Sequence, residues 1–190
     1  SPNIIFEDAD IGSAVNGVIA GIFAASGQSC VAGSRLLVQE SVYHEFLEAL
    51  KARAQTIVIG DPMDPSSEMG PMATQAQLAL VERMVAAAQA QGATLIYGGK
   101  RAAVTGDGWY YQPTILAVDS NQCSIMQEEV FGPLASIMRF TDEAHALALA
   151  NDSEFGLAAG IWTRDNGRVH RMSKAVQAGI IWVNTYRADS

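Results

Sequence analysis

Residues 4–38 read IIFEDADIGSAVNGVIAGIFAASGQSCVAGSRLLV, and this stretch decides the fold. Ile4-Ile5-Phe6 is a short continuous apolar run, as carried by a strand buried on both faces. Asp8 and Asp10 follow, and either can cap a helix and place a carboxylate at the positive end of its dipole. Ile11, Ala14, Val15, Val18, Ile19, Ile22 and Phe23 then recur at helical spacing, in a pattern that runs to Ser26 and predicts a helix packed along one face. Leu36-Leu37-Val38 is a second apolar run. Strand, helix and strand in this order predict two parallel strands joined by a crossover.

The rest of the chain repeats the alternation. Val42, Phe46, Leu50 and Ala54 predict a helix over 42–59, capped by Ser41, with Glu45 in its first turn and Gly60-Asp61-Pro62 at its end. A turn-rich loop through Asp64-Pro65 and Gly70-Pro71 leads to a helix over 74–91, stopped by Gly92. Strands are predicted over 94–97, 110–118, 134–140, 157–163 and 179–183, and helices over 142–150 and 166–177. Pro113 sits awkwardly in the second of these strands, because it has no N–H for a central ladder. The fold expected is α/β: a mostly parallel open sheet with helices on both faces. No GxGxxG follows any strand, so no dinucleotide phosphate cradle is expected within these residues.

Composition removes several classes of function. At 190 residues, with 49% hydrophobic and 17% charged side chains, the chain is long enough for one domain with a sizeable core. A net charge of −8 without a Lys/Arg cluster excludes a nucleic-acid footprint and attachment to an anionic membrane surface. No run of about 18 apolar residues is present, so no membrane span is expected. Cys30 and Cys123 are too few for a disulfide framework, which points to a reducing, cytoplasmic setting. His44, His145 and His170 are scattered without metal-ligand spacing; they read as solvated helix faces, and no metal site is expected. The chain opens at Ser1-Pro2-Asn3 and closes soon after the apolar run at Ile180–Val183, which reads as a piece of a longer protein.

The chemistry gathers at Gly27-Gln28-Ser29-Cys30. A glycine breaks the helical pattern, and a thiol follows among small neighbours, Ser29, Val31, Ala32 and Gly33, on a turn that leaves room for an approaching molecule. A free thiol with a pKa of about 8.5 is only a few per cent ionised at pH 7, so nucleophilic work needs both access and a field favouring thiolate. Alone, a cysteine in such a chain reads as a small buried hydrophobe.

The company it keeps changes that reading. Gly27-Gln28-Ser29-Cys30 resembles the nucleophile turn of the NAD(P)-dependent aldehyde dehydrogenases. Glu128-Glu129-Val130-Phe131-Gly132-Pro133 resembles their second signature, Gly156–Gly160 and Gly179–Asn184 match two further segments, and Ser1–Ile5 fits the residues after their Glu-Leu-Gly-Gly-Lys-type motif. The likeness runs end to end in the right order.

The resemblance implies that residues 1–190 are the thiol-bearing catalytic domain of an enzyme oxidising a small-molecule aldehyde to an acid with NAD or NADP. It implies Cys30 as the nucleophile, with its backbone N–H as one oxyanion donor. Glu129 would be the carboxylate on the nicotinamide ribose hydroxyls, a task suited to an acceptor-only group, and Phe131 the ring beside the nicotinamide. Phe131 reads otherwise as an ordinary core aromatic, Glu128 as a solvated neighbour and Cys123 as incidental. In the family the general base, a second oxyanion donor and the Rossmann-like cofactor domain lie before the residue matching Ser1, and an oligomerisation strand lies beyond the one matching Ser190. The complete protein is then expected to be a homo-oligomer, and these 190 residues by themselves to be inactive on aldehydes. Tyr186–Asp189 resemble a loop lining the family's substrate tunnel, where Arg187 reads as a solvated charge or as a partner for an anionic substrate.

Three alternatives remain at this stage. A CoA-acylating relative would pass the acyl group to CoA instead of water. A non-catalytic module could retain the fold, although it has no need of a thiol on that turn. A Cys-His hydrolase would need a histidine within reach of Cys30.

Overall fold

The computed structural model describes residues 1–104 and 107–186. Seven strands form one sheet: β1 Pro2–Ile5, β2 Arg35–Gln39, β3 Thr94–Tyr97, β4 Thr114–Ala117, β5 Leu134–Phe140, β6 Ala158–Trp162 and β7 Ile180–Val183. Their order is β3-β4-β5-β2-β1-β6-β7. Every neighbouring pair is parallel except β3 with β4 at one edge. The helices are α1 Ile11–Ile22, α2 Tyr43–Gln55, α3 Gln75–Ala90, α4 Ser124–Gln127, α5 Glu143–Asn151 and α6 Asn166–Ala175.

The continuous apolar runs serve two cores at once, because successive strand side chains point to opposite faces. Ile5, Leu36, Val38, Ile115 and Ile137 pack with α1 and α2 through Val15, Val18, Ile22, Phe46 and Leu50. Ile4, Leu37, Leu116 and Ile161 face the other way, onto Leu78, Val81 and Val85 of α3, Leu149 of α5 and Met172 of α6. Helices on both faces of a mostly parallel sheet are what the alternation predicts.

The boundaries differ in instructive places. Helix α1 stops at Ile22, with Phe23 as C-cap, because Ala25 and Ser26 take left-handed backbone (φ 53° and 55°) ahead of Gly27 (φ 72°). Asp10, not Asp8, caps α1, accepting from Ser13 N–H at 2.8 Å. Asp8 instead takes Thr163 Oγ1 at 2.8 Å and Arg168 Nη1 at 2.9 Å, tying β1 to the end of β6. Helix α2 is shorter than 42–59 and has no side-chain cap; a 3₁₀ turn at Glu40–Val42 leads into it, and Ser41 donates its hydroxyl to Glu7. Strand β4 begins only after Pro113, and the short helix α4 had no periodicity to announce it.

Candidate active site

One end of the sheet carries the site. Strand β2 is entered from Cys30–Ser34, β5 from Glu128–Pro133, β6 from Phe155–Leu157 and β1 from Ser1. These segments line a single cleft of ≈ 250 Å³ at the amino ends of four parallel strands. Open α/β sheets generally bind ligands at the carboxyl ends. Here the carboxyl ends of β1 and β6 are instead closed by the Asp8–Thr163–Arg168 cluster.

The cleft exists because two loops meet backbone to backbone. A Cβ on Gly27 would fall on the carbonyl of Gly132, and one on Gly132 would lie 2.5 Å from Val81 of α3. Only glycine permits both approaches, and at Gly27 the positive φ asks for it as well. Cys30, Glu129 and Phe131 thereby line one cavity although about a hundred residues separate them.

Each loop is held from outside the cleft. Ser26 donates its hydroxyl to the carbonyls of Gly70 (2.8 Å) and Pro71 (3.2 Å), and Gln28 accepts from Ala73 N–H at 3.0 Å. Across the cleft Phe131 also has left-handed backbone, φ 52°. Gln77 of α3 donates its amide to the carbonyls of Val130 (2.9 Å) and Phe131 (3.0 Å), which holds that bend in place. Left-handed non-glycine residues cost on the order of 1–2 kcal/mol each and gather at functional sites.

A buried arginine joins the remaining walls. Arg35, the first residue of β2, donates to the carbonyls of Leu149 (2.7 Å) and Ala150 (3.2 Å) near the end of α5, and to Asn121 at 3.0 Å. Asn121 in turn donates to Asp152 at 2.8 Å, and Gln127 to the carbonyls of Asn121 and Asp152. Burial lowers the pKa of Arg35, and the charge of Asp152 works in the other direction.

The sequence-predicted residues fall as follows. Cys30 is exposed at the cleft and Cys123 is buried at the start of α4. The backbone N–H of Cys30 makes no protein hydrogen bond among the described residues, so it is available to a ligand. Glu128 and Glu129 are exposed, and among the described residues neither carboxylate is hydrogen-bonded or ion-paired. Phe131 is 38% exposed at the cleft rather than in the core. None of the three histidines lines the cleft, and among the described residues no three His, Cys, Asp or Glu are grouped as a metal would need. Tyr186 is buried beneath the nucleophile turn; Arg187, Ala188 and Asp189 lie outside the described residues. Sequence reading missed Gln77, Arg35 and Asn121. Only Gln28, inside the motif, carried a signal for its anchoring role.

Comparison with known proteins places this arrangement. The profile described as "Aldehyde dehydrogenase family" matches residues 1–190. The chain is 44% identical over 187 residues to the betaine aldehyde dehydrogenase of Rhizobium etli, covering 98% of this chain and 38% of that protein. It is 47% identical over 191 residues to the (Z)-2-((N-methylformamido)methylene)-5-hydroxybutyrolactone dehydrogenase of Acinetobacter baylyi, covering 100% of this chain and 39% of that one. Among solved structures, HpcC from Thermus thermophilus superposes with a TM-score of 0.96 at 38% identity, over 100% of this chain and 38% of that one. The betaine aldehyde dehydrogenase of Staphylococcus aureus in complex with NAD⁺ does so equally, with a TM-score of 0.96, 38% identity and the same coverage. The chain thus spans less than two fifths of the length of each of these relatives. With every residue inside the matched span, and the thiol turn and the Glu-Glu-Val-Phe-Gly-Pro loop packed as one cleft, the chain belongs to the aldehyde dehydrogenase family.

Proposed function

We propose that residues 1–190 are the thiol-bearing catalytic domain of an NAD(P)-dependent aldehyde dehydrogenase, with Cys30 as nucleophile and Glu129 and Phe131 as contacts of the nicotinamide end of the cofactor. The observation that carries this reading is the convergence on one cleft of an exposed thiol, a carboxylate without a partner among the described residues, and an exposed aromatic ring. The donor set suits the cofactor: Glu129 can accept from two ribose hydroxyls, and Phe131 offers an apolar face.

The residues divide the work as follows. The thiolate of Cys30 attacks the aldehyde carbon, a C–S bond forms, and the carbonyl π pair moves to oxygen. The backbone N–H of Cys30 donates to that oxyanion, where charge develops. Collapse restores the C=O bond and expels the aldehyde hydrogen with its electron pair, leaving a thioester on Cys30. Bound NAD(P) supplies the acceptor for that hydride. Water then cleaves the C–S bond, which releases the acid and returns the thiol. In this reading the water-activating base, the second oxyanion donor and most of the cofactor site come from the remainder of the complete protein, so the 190 residues alone are inactive. The complete protein is read as a cytoplasmic homo-oligomer.

The relatives' names divide between betaine aldehyde and a substituted hydroxybutyrolactone, so the substrate is proposed here only as an aldehyde. The test is aldehyde-dependent formation of NADH or NADPH by the complete protein, with betaine aldehyde and a neutral aliphatic aldehyde, beside its Cys30→Ser variant. Loss of turnover by at least about 10³-fold in the variant is expected. Activity persisting without the thiol refutes the assignment. Acyl-CoA appearing in place of free acid when CoA is supplied would move the protein to the acylating branch.

A further inference from the structure

The peptide unit between Val31 and Ala32 is engaged at both ends. Its N–H donates to Ser29 O at 3.0 Å, which closes the four-residue turn Ser29–Ala32 with Cys30 in second place. Its carbonyl accepts the phenolic O–H of Tyr186 at 2.8 Å. Hydrogen bonds in series polarise one another, so the phenol strengthens the bond that closes the turn.

Tyr186 is itself fixed. It is 3% exposed, and glycines from three elements make room for its ring. A Cβ would lie 2.5 Å from its Cδ1 at Gly21 of α1, 2.6 Å from Cζ at Gly33 of the nucleophile loop, and 2.5 Å from Cδ2 at Gly160 of β6. The ring of Trp182 lies 4.8 Å away, centroid to centroid. Burial raises the phenol's pKa, so its O–H remains a donor across the working range. Filling this slot for packing alone asks only for a phenylalanine. The hydroxyl reaches the one carbonyl whose own amide closes the turn around Cys30.

We propose that Tyr186 is a positioning residue: by donating its hydroxyl to the Val31 carbonyl it sets the Ser29–Ala32 turn, and with it the aim of the Cys30 sulfur and N–H. This rests on Cys30 being the nucleophile. Gln28, bound to Ala73, holds the chain two residues before the thiol, and Tyr186 holds it one residue after.

The experiment uses the complete protein and the variant Tyr186→Phe, which keeps the ring and removes one oxygen. The single-turnover rate of reduced-nicotinamide formation is expected to fall about tenfold, since misplacement by a fraction of an ångström is costly in rate. The KM for aldehyde should stay within about twofold. Alkylation of Cys30 by iodoacetamide, at a pH where the thiol is fully ionised, should be unchanged because that small reagent needs no aim. The thermal midpoint should drop by only about 2–4 °C. Gly33→Ala, which pushes the ring and its hydroxyl away from the loop, should give the same split between rate and KM. A Tyr186→Phe rate within twofold of the parent overturns the proposal. So does a parallel loss of rate, alkylation and thermal midpoint, because the hydroxyl would then hold the fold rather than the thiol's aim. If the parent shows no Cys30-dependent oxidation, the nucleophile assignment fails first, before any Tyr186 variant is read, and takes this inference with it.

Discussion

Gly27→Ala tests the contact on which the cleft depends. Two costs combine at this position. The first is conformational: φ is 72°, and a left-handed backbone with a Cβ costs on the order of 1–2 kcal/mol. Ala25 and Ser26 already bear that cost next door, so the fold tolerates it. The second is steric: the new methyl falls on the backbone carbonyl of Gly132, which is not the yielding tip of a side chain. The two loops must separate, and a shift of about 1 Å at a reacting centre can cost 10²-fold in rate. Gly92→Ala supplies the control. Gly92 also has positive φ (97°), but nothing lies within 4 Å of its Cβ position, and it follows α3 away from the cleft. In the complete protein Gly92→Ala should lose about 1–2 kcal/mol of stability in urea unfolding and keep its turnover. Gly27→Ala should lose about 2–4 kcal/mol, and turnover should fall by about 10²-fold or more. Equal effects of the two substitutions on both readouts would refute the argument that Gly27 is dictated by Gly132.

Brief alkylation with iodoacetamide followed by peptide mapping should label Cys30, exposed on its turn, well ahead of Cys123, buried at the start of α4; preferential labelling of Cys123 would contradict the assignment. Glu129→Gln should slow single-turnover hydride transfer more than it weakens nucleotide binding, because one ribose contact is a small share of a dinucleotide's contacts while misplacing its reactive end is costly. An unchanged transfer rate would remove Glu129 from the site. Hydrogen bonds from Arg171, then the charges of Arg171 and Arg168, hold the Glu143 carboxyl below the usual carboxylate range. A lowered folded-state pKa stabilises above the ordinary glutamate value and is lost as pH falls through the lowered one, so Glu143→Gln should flatten the acid limb of the stability profile while leaving turnover at neutral pH intact.

The sheet was legible because its evidence is local and repeated. Runs such as Leu36-Leu37-Val38 need partners on both faces, and helices of nine to sixteen residues between the strands supply those partners. Thr94–Tyr97 and Leu134–Phe140 were readable to the residue, since Gly98-Gly99 and Pro133 mark their edges. The end of α1 was not, because Ala25 and Ser26 carry no local instruction for left-handed backbone; that conformation comes from Ser26 reaching Gly70 and Pro71, more than forty residues on. Cys30, Glu129 and Phe131 stand as candidates only through resemblance to a family. Their meeting depends on Gly27 lying against Gly132, a long-range fact with no period or spacing in the sequence. Gln77 read as one polar residue in a helix rich in them, and Arg35 as the start of a strand.

These unannounced residues explain how a strained site persists in a stable fold. Ala25, Ser26 and Phe131 together carry about 3–6 kcal/mol of left-handed backbone strain, at roughly 1–2 kcal/mol each. Ser26, Gln28, Gln77 and Tyr186 return six hydrogen bonds to the same two loops, worth about 3–9 kcal/mol at 0.5–1.5 kcal/mol each. The two sums overlap, so the loops keep their bends without drawing on the cores. Every one of those bonds also ties a cleft segment to something outside the cleft: the 70–73 loop, helix α3, or the residues after β7. In the proposed reading the motif residues supply the chemistry, and apart from Gln28 their geometry is held by side chains outside those motifs, Ser26, Gln77 and Tyr186.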